Sequence, residues 1–123
     1  MASPHVAVVV LSCVALVQIT IAVVEVFLWN APSVHRRLDY TQEEARKVAP
    51  IVANAGLYNA FLAAGLIWAL MSGSGRPELA VFFLSCVIVA GVFGAVTLKP
   101  TTLLVQTIPA ILALAATLTA KVP

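Results

Sequence analysis

Four long apolar runs, separated by three polar breaks, organise the chain. A helix needs roughly 20 apolar residues to cross a hydrocarbon core, and the pattern predicts such helices over 6–28, 50–71, 79–98 and 101–120. The expected fold is all-α, an integral membrane four-helix bundle that uses residues 1–123 as one domain. The first run reads as a span and not as a cleaved leader. It lacks Lys and Arg before the apolar stretch, exceeds the usual apolar region of a signal peptide, and carries Glu25 where a cleavage context would stand.

The breaks have distinct chemistry. Asn30 to Ala49 holds most of the charge, including His35, Arg36, Arg37, Asp39, Glu43, Glu44, Arg46 and Lys47. Within it Thr41-Gln42-Glu43-Glu44 fits a capping box, so a short amphipathic surface helix is expected to lead into the second run. Pro50 then acts either as a kink in that helix or as the first-turn residue of a new one. Trp29 and Pro32 mark the exit from the first run, the indole suiting an interfacial belt. The second break, Ser72-Gly-Ser-Gly-Arg-Pro77, is a flexible turn, and Lys99-Pro100 makes the third. Pro109 interrupts the last run, removing one backbone bond and freeing the carbonyl near Val105.

Composition strengthens the membrane reading. With 62% hydrophobic residues, 10% charged and a mean hydropathy of +1.05, there is too little polar surface to solvate a separate globule. The formal charge of +2 is scattered over the loops, which argues against a nucleic-acid partner. The first and third breaks carry Arg36, Arg37, Arg46, Lys47 and Lys99, against Arg76 and Lys121 on the other side. The positive-inside rule therefore places both termini outside, in a bacterial plasma membrane. Cys13 and Cys86 read as small buried residues, and His35 as a solvated or headgroup contact. Trp68 and Met71 read as interface anchoring and packing.

Candidate chemistry clusters at one depth. Glu25 lies about one turn before the cytoplasmic end of the first run, Asn54, Tyr58 and Asn59 one to two turns into the second, and Gln106 about one and a half turns into the fourth. Gly91 and Gly94 contribute space at that level. An ionisable group inside a span is expensive and rare, so Glu25 is the candidate proton donor or acceptor. Asn54, Tyr58, Asn59, Gln106 and Trp29 are the candidate ligand contacts. Gln18, two turns before Glu25, shares its face and extends the polar seam. Asn59 is rotated away from the face that Asn54 and Tyr58 share, and suits a different neighbour. Small residues at Gly56, Ala60 and Ala64 let a neighbouring helix approach.

No His/Cys cluster, glycine-rich phosphate loop or nucleophile elbow is present, so neither metal nor cofactor is expected. The reading is a pocket in the cytoplasmic half of the bilayer that binds a small or lipophilic molecule. Three other readings stay open: a proton-coupled exporter, a membrane-embedded acid/base enzyme of isomerase or cyclase type, and an accessory subunit whose polar groups only join helices. A homodimer through the small faces of the second and third runs fits the exporter best.

The motifs Glu25-Val-Phe-Leu-Trp29, Asn54-Ala-Gly-Leu-Tyr-Asn59, Phe61-Leu-Ala-Ala-Gly65, Gly91-Val-Phe-Gly94 and Gln106-Thr-Ile-Pro109-Ala110 resemble those of the small bacterial four-helix membrane proteins grouped as domain of unknown function 1304. The resemblance covers nearly the whole chain. It implies a four-helix membrane fold and carries over no activity or catalytic role.

Overall fold

A computed structural model describes residues 2–101 and 103–120. Helix α1 spans Pro4–Val23, with Pro4 in its first turn and the Ser3 hydroxyl accepting from the Val6 N–H at 3.3 Å. It continues as a π-helical turn, Val24–Leu28. Helix α2 is the short Pro32–His35, which tightens into a 3-10 turn over Arg36–Leu38. Helix α3 spans Gln42–Ser72 and α4 Pro77–Thr97. A second π turn, Leu103–Thr107, opens into α5, Ile108–Thr119. No strand occurs among the described residues.

Three of these helices are long and apolar enough to cross a bilayer: Pro4–Leu28, Gln42–Gly75 and Pro77–Thr97. The fourth, Leu103–Thr119, is shorter. The expectation of four spans is met in full by three helices and by a shorter last one, and Pro109 supplies the reason. Proline has no N–H for the carbonyl four residues earlier, and π winding passes carbonyls to the donor five residues on. The last run is therefore divided in two. Thr102 and Lys121 lie outside the described residues.

A correction concerns the first break. The expected surface helix is not separate, because α3 runs through Pro50 without interruption. Its 31 residues reach about 46 Å, well beyond a hydrocarbon core of about 30 Å. The turns before Pro50 are its polar part. Both halves of the capping box are made, Thr41 N–H to Glu44 Oε2 at 2.9 Å and Glu44 N–H to Thr41 Oγ1 at 3.2 Å. The Thr41 backbone N–H, then its hydroxyl, hold the exposed Glu44 carboxyl below the ordinary carboxylate value.

The long helices form a ring, α1 against α3, α3 against α4, α4 against α5 and α5 back against α1. Its core contains Leu11, Val14, Leu66, Leu84, Val87 and Ala113. Glycines set the approach distances. A methyl added at Gly56 would lie 2.9 Å from Glu25 Cβ and 3.2 Å from the Ala22 carbonyl. One at Gly65 would strike the Phe83 ring, and one at Gly91 would strike the Thr107 side chain. The close-approach stripe on α3 follows Gly56, Ala60 and Ala63, while Ala64 faces outward. A helical face recurs at four and then three residues, so a strict spacing of four drifts off it.

The cysteines also differ from expectation. Cys13 is exposed and Cys86 half-buried, both with free thiols. Ser12, Ser85, Thr117 and Thr119 donate to the carbonyl one turn back at 2.7 to 2.8 Å, as small hydroxyls in apolar helices commonly do. At the end carrying the first break, Lys99 pairs with Asp39 at 3.2 Å and donates to the Arg37 carbonyl, tying two loops together.

Four variants test these contacts. Thr41→Ala removes one cap and is expected to lower stability by about 1 kcal/mol. Glu44→Gln should lower the melting temperature at neutral pH, with the difference closing on acidification. A depressed carboxyl stabilises the fold above its unfolded value, 4.5, and loses that contribution as pH falls through the folded one. Gly56→Ala gains up to about 1 kcal/mol of helix propensity but meets overpacking of about 1–3 kcal/mol. Thermal unfolding should show net destabilisation, whereas Gly75→Ala, in open space, should be tolerated.

Candidate functional site

Glu25 occupies the π turn that ends the first long helix, and the Asn59 amide donates to its Oε2 at 3.2 Å. Gly56 makes this meeting possible, since it lets α3 lie against the Glu25 backbone, and Asn59 follows three residues later on the same face. Glu25 is half-buried. Its partner is an amide and not Arg36 or Arg37.

One α1 face further into the bundle, Gln18 is fully buried and its amide reaches Gln106 Oε1 at 3.5 Å. Gln106 belongs to the second π turn, so each π turn contributes one member of a polar pair, Glu25 with Asn59 and Gln106 with Gln18. Thr107 is buried beside Gly91, and neither its hydroxyl nor Gln18 Oε1 has a partner among the described residues. Unpaired buried polar atoms of this kind favour a polar group brought from outside the helices. Thr107 was not foreseen from the sequence. Its signal was its place between Gln106 and Pro109, at the level of Gly91.

The remaining candidates lie elsewhere. Asn54 and Tyr58 are exposed, with Tyr58 edge-on to Phe61 at 5.9 Å. Each is two residues from Gly56, about 200° around the helix, so equal depth does not bring them to α1. Their convergence with Glu25 in one pocket is therefore corrected. Trp29 is likewise not an exposed belt residue. It is buried, donates from Nε1 to the Ala45 carbonyl at 2.9 Å, and packs edge-on against Tyr40 at 5.4 Å. His35, expected to be solvated, is 1% exposed and lies beneath the same ring. Both are drawn in because α2 folds the first break back over the start of α3. Trp68 and Met71 do face outward, and Arg76 stacks 5.6 Å from the Trp68 ring centroid.

Two cavities flank this seam. One, about 120 Å³, is apolar and sits at the end holding Pro4, Leu11, Ala69, Pro77 and Thr117. The other, about 280 Å³, is lined by Asn30, His35, Gln42, Ala45 and Arg46 at the opposite end. No group of three metal-ligating side chains occurs among the described residues.

What the seam can do chemically is limited and specific. An acid held at one oxygen by an amide keeps its other oxygen for a proton or a ligand donor, and the neighbouring glutamines and threonine can orient a polar atom. No curated protein and no solved structure matches the chain. Residues 12–118 match the family model described as Protein of unknown function (DUF1304), and the chain belongs to that family.

Proposed function

We propose that the protein is an integral membrane protein in which Glu25, steadied by Asn59, exchanges a proton with a small or lipophilic molecule taken up at the Gln18, Gln106 and Thr107 seam. The reading rests on the Asn59–Glu25 hydrogen bond within a π turn of an otherwise apolar helix. An acid placed there is costly unless used, and π turns inside helices recur at functional sites. The shorter last helix crosses together with its π turn, which brings the number of spans to four. Both termini then face outward, in a plasma membrane, because Arg36, Arg37, Arg46, Lys47 and Lys99 gather at one end.

A second reading has its own observation. Asn54 and Tyr58 are exposed one turn apart on α3, and at membrane depth lipid offers an amide no hydrogen-bond partner. This face suits a second copy of the chain, with the dimer enclosing the route to Glu25.

Wild-type and Glu25→Gln protein should be compared in lipid nanodiscs, by melting temperature from pH 5 to 9 and by native mass spectrometry. The two pH profiles should diverge, and a small molecule retained by the wild type should be lost from the variant. Coincident profiles with nothing bound would leave the polar seam as interhelical glue. Orientation is checked separately in a background lacking Cys13 and Cys86. Cysteine placed at Ser74 should react with an impermeant maleimide from outside the cell, and cysteine at Ser33 should not.

A further inference from the structure

His35 is one of the residues lining the cavity under the first break, and its free ring nitrogen has a fixed character. His35 Nδ1 lies 3.0 Å from the Tyr40 carbonyl. A carbonyl only accepts, so Nδ1 carries the hydrogen and Nε2 of the neutral ring is an acceptor. That nitrogen is buried without a partner among the described residues, in a side chain that is 1% exposed. The ring is clamped in place. Trp29 packs edge-on at 6.5 Å, itself held by the Ala45 carbonyl.

The other walls supply donors. Arg46 and the amides of Asn30 and Gln42 line the same cavity of about 280 Å³, and Arg46 makes no ion pair among the described residues. An occupant that satisfied both groups would offer a hydroxyl to the acceptor nitrogen and negative oxygen to the guanidinium. An ionised carboxylate lacks the hydroxyl, and a protonated carboxyl lacks the charge. A phosphate diester carries charge but no P–OH. A phosphate monoester, whose second ionisation falls near pH 6, carries both on one phosphorus around neutrality.

We propose that this cavity binds a phosphate monoester, its P–OH donating to His35 Nε2 and its ionised oxygens accepting from Arg46, Asn30 and Gln42. The monoester comes either from a lipid headgroup or from a soluble metabolite, and the same assay separates the two. The site is independent of Glu25, so failure of the proton-exchange reading does not touch it.

The test uses the full chain carrying Trp68→Phe, which leaves Trp29 as the reporting indole beside His35. Protein in phosphatidylcholine nanodiscs is titrated with methyl phosphate and with dimethyl phosphate. A parallel preparation contains a minor fraction of phosphatidic acid. Methyl phosphate should change Trp29 emission saturably and dimethyl phosphate should not. A response to phosphatidic acid that outcompetes methyl phosphate assigns the site to lipid, and the reverse assigns it to a soluble ligand. Arg46→Gln, at an exposed position, should weaken binding about tenfold or more, the loss of a charge-assisted hydrogen bond. His35→Asn keeps a donor for the Tyr40 carbonyl while removing the acceptor, and should do the same. Equal binding of mono- and diester, an unchanged Arg46→Gln protein, or no saturable response to either monoester overturns the proposal.

Discussion

Helices that are apolar around their whole circumference have no preferred inward face, and α1 and α4 are of this kind. Burial alone then cannot decide which sides meet. The decision falls to the few positions where backbones can approach closely and where a polar group demands a partner. At Gly56 both conditions coincide, since the missing side chain admits the α1 backbone and the next turn delivers the Asn59 amide to Glu25. Gly91 repeats the arrangement between α4 and the second π turn, beside Thr107 and Gln106. Register in this ring is thus a consequence of small residues set next to polar ones.

The two ends of the ring are held differently. Where α3 turns into α4 and the terminal segments lie, contacts are mainly apolar and the cavity between them is lined by Pro4, Ala7, Leu11, Ala69 and Ala80. At the other end, specific polar contacts do the joining: the Trp29 indole to Ala45, His35 to Tyr40, and Lys99 to Asp39 and Arg37. Asp39 adopts a left-handed backbone, φ 62°, at the end of the 3-10 turn. Aspartate tolerates that conformation better than most side chains, which lets the first break reverse and fold over α3. Exposed ion pairs contribute little stability, so the Lys99 contacts serve chiefly to set where the loops lie.

Much of this was legible in the residues. The all-α class, the turn at Ser72 to Pro77 and the capping box at Thr41 and Glu44 follow from local rules, and local rules held. Faces were harder to read. Cys13 sits in an apolar run but points outward, because uniform apolarity says nothing about rotation. Asn54 and Tyr58 share a depth with Glu25 but not a direction, whereas Asn59, which the helical wheel sets apart from them, is the residue that reaches α1. His35 and Trp29 depended on a loop reversal that only Asp39 and the aromatic neighbours could have signalled.

The placement of the two π turns ties these threads together. A π turn spends one extra residue per turn and so rotates everything beyond it relative to an α-helix. In the first, this rotation carries Glu25 toward α3 before the chain leaves the bundle at Trp29. In the second, Gln106 meets Gln18 of α1 and Thr107 lies against Gly91 of α4 before regular winding resumes at Ile108 in α5. Both irregular turns lie at the end where the basic residues and the His35 cavity are found. Packing alone would be served by regular helices, and proline alone explains only the second turn. Each turn nonetheless sets a polar side chain, Glu25 or Gln106, against a neighbouring helix.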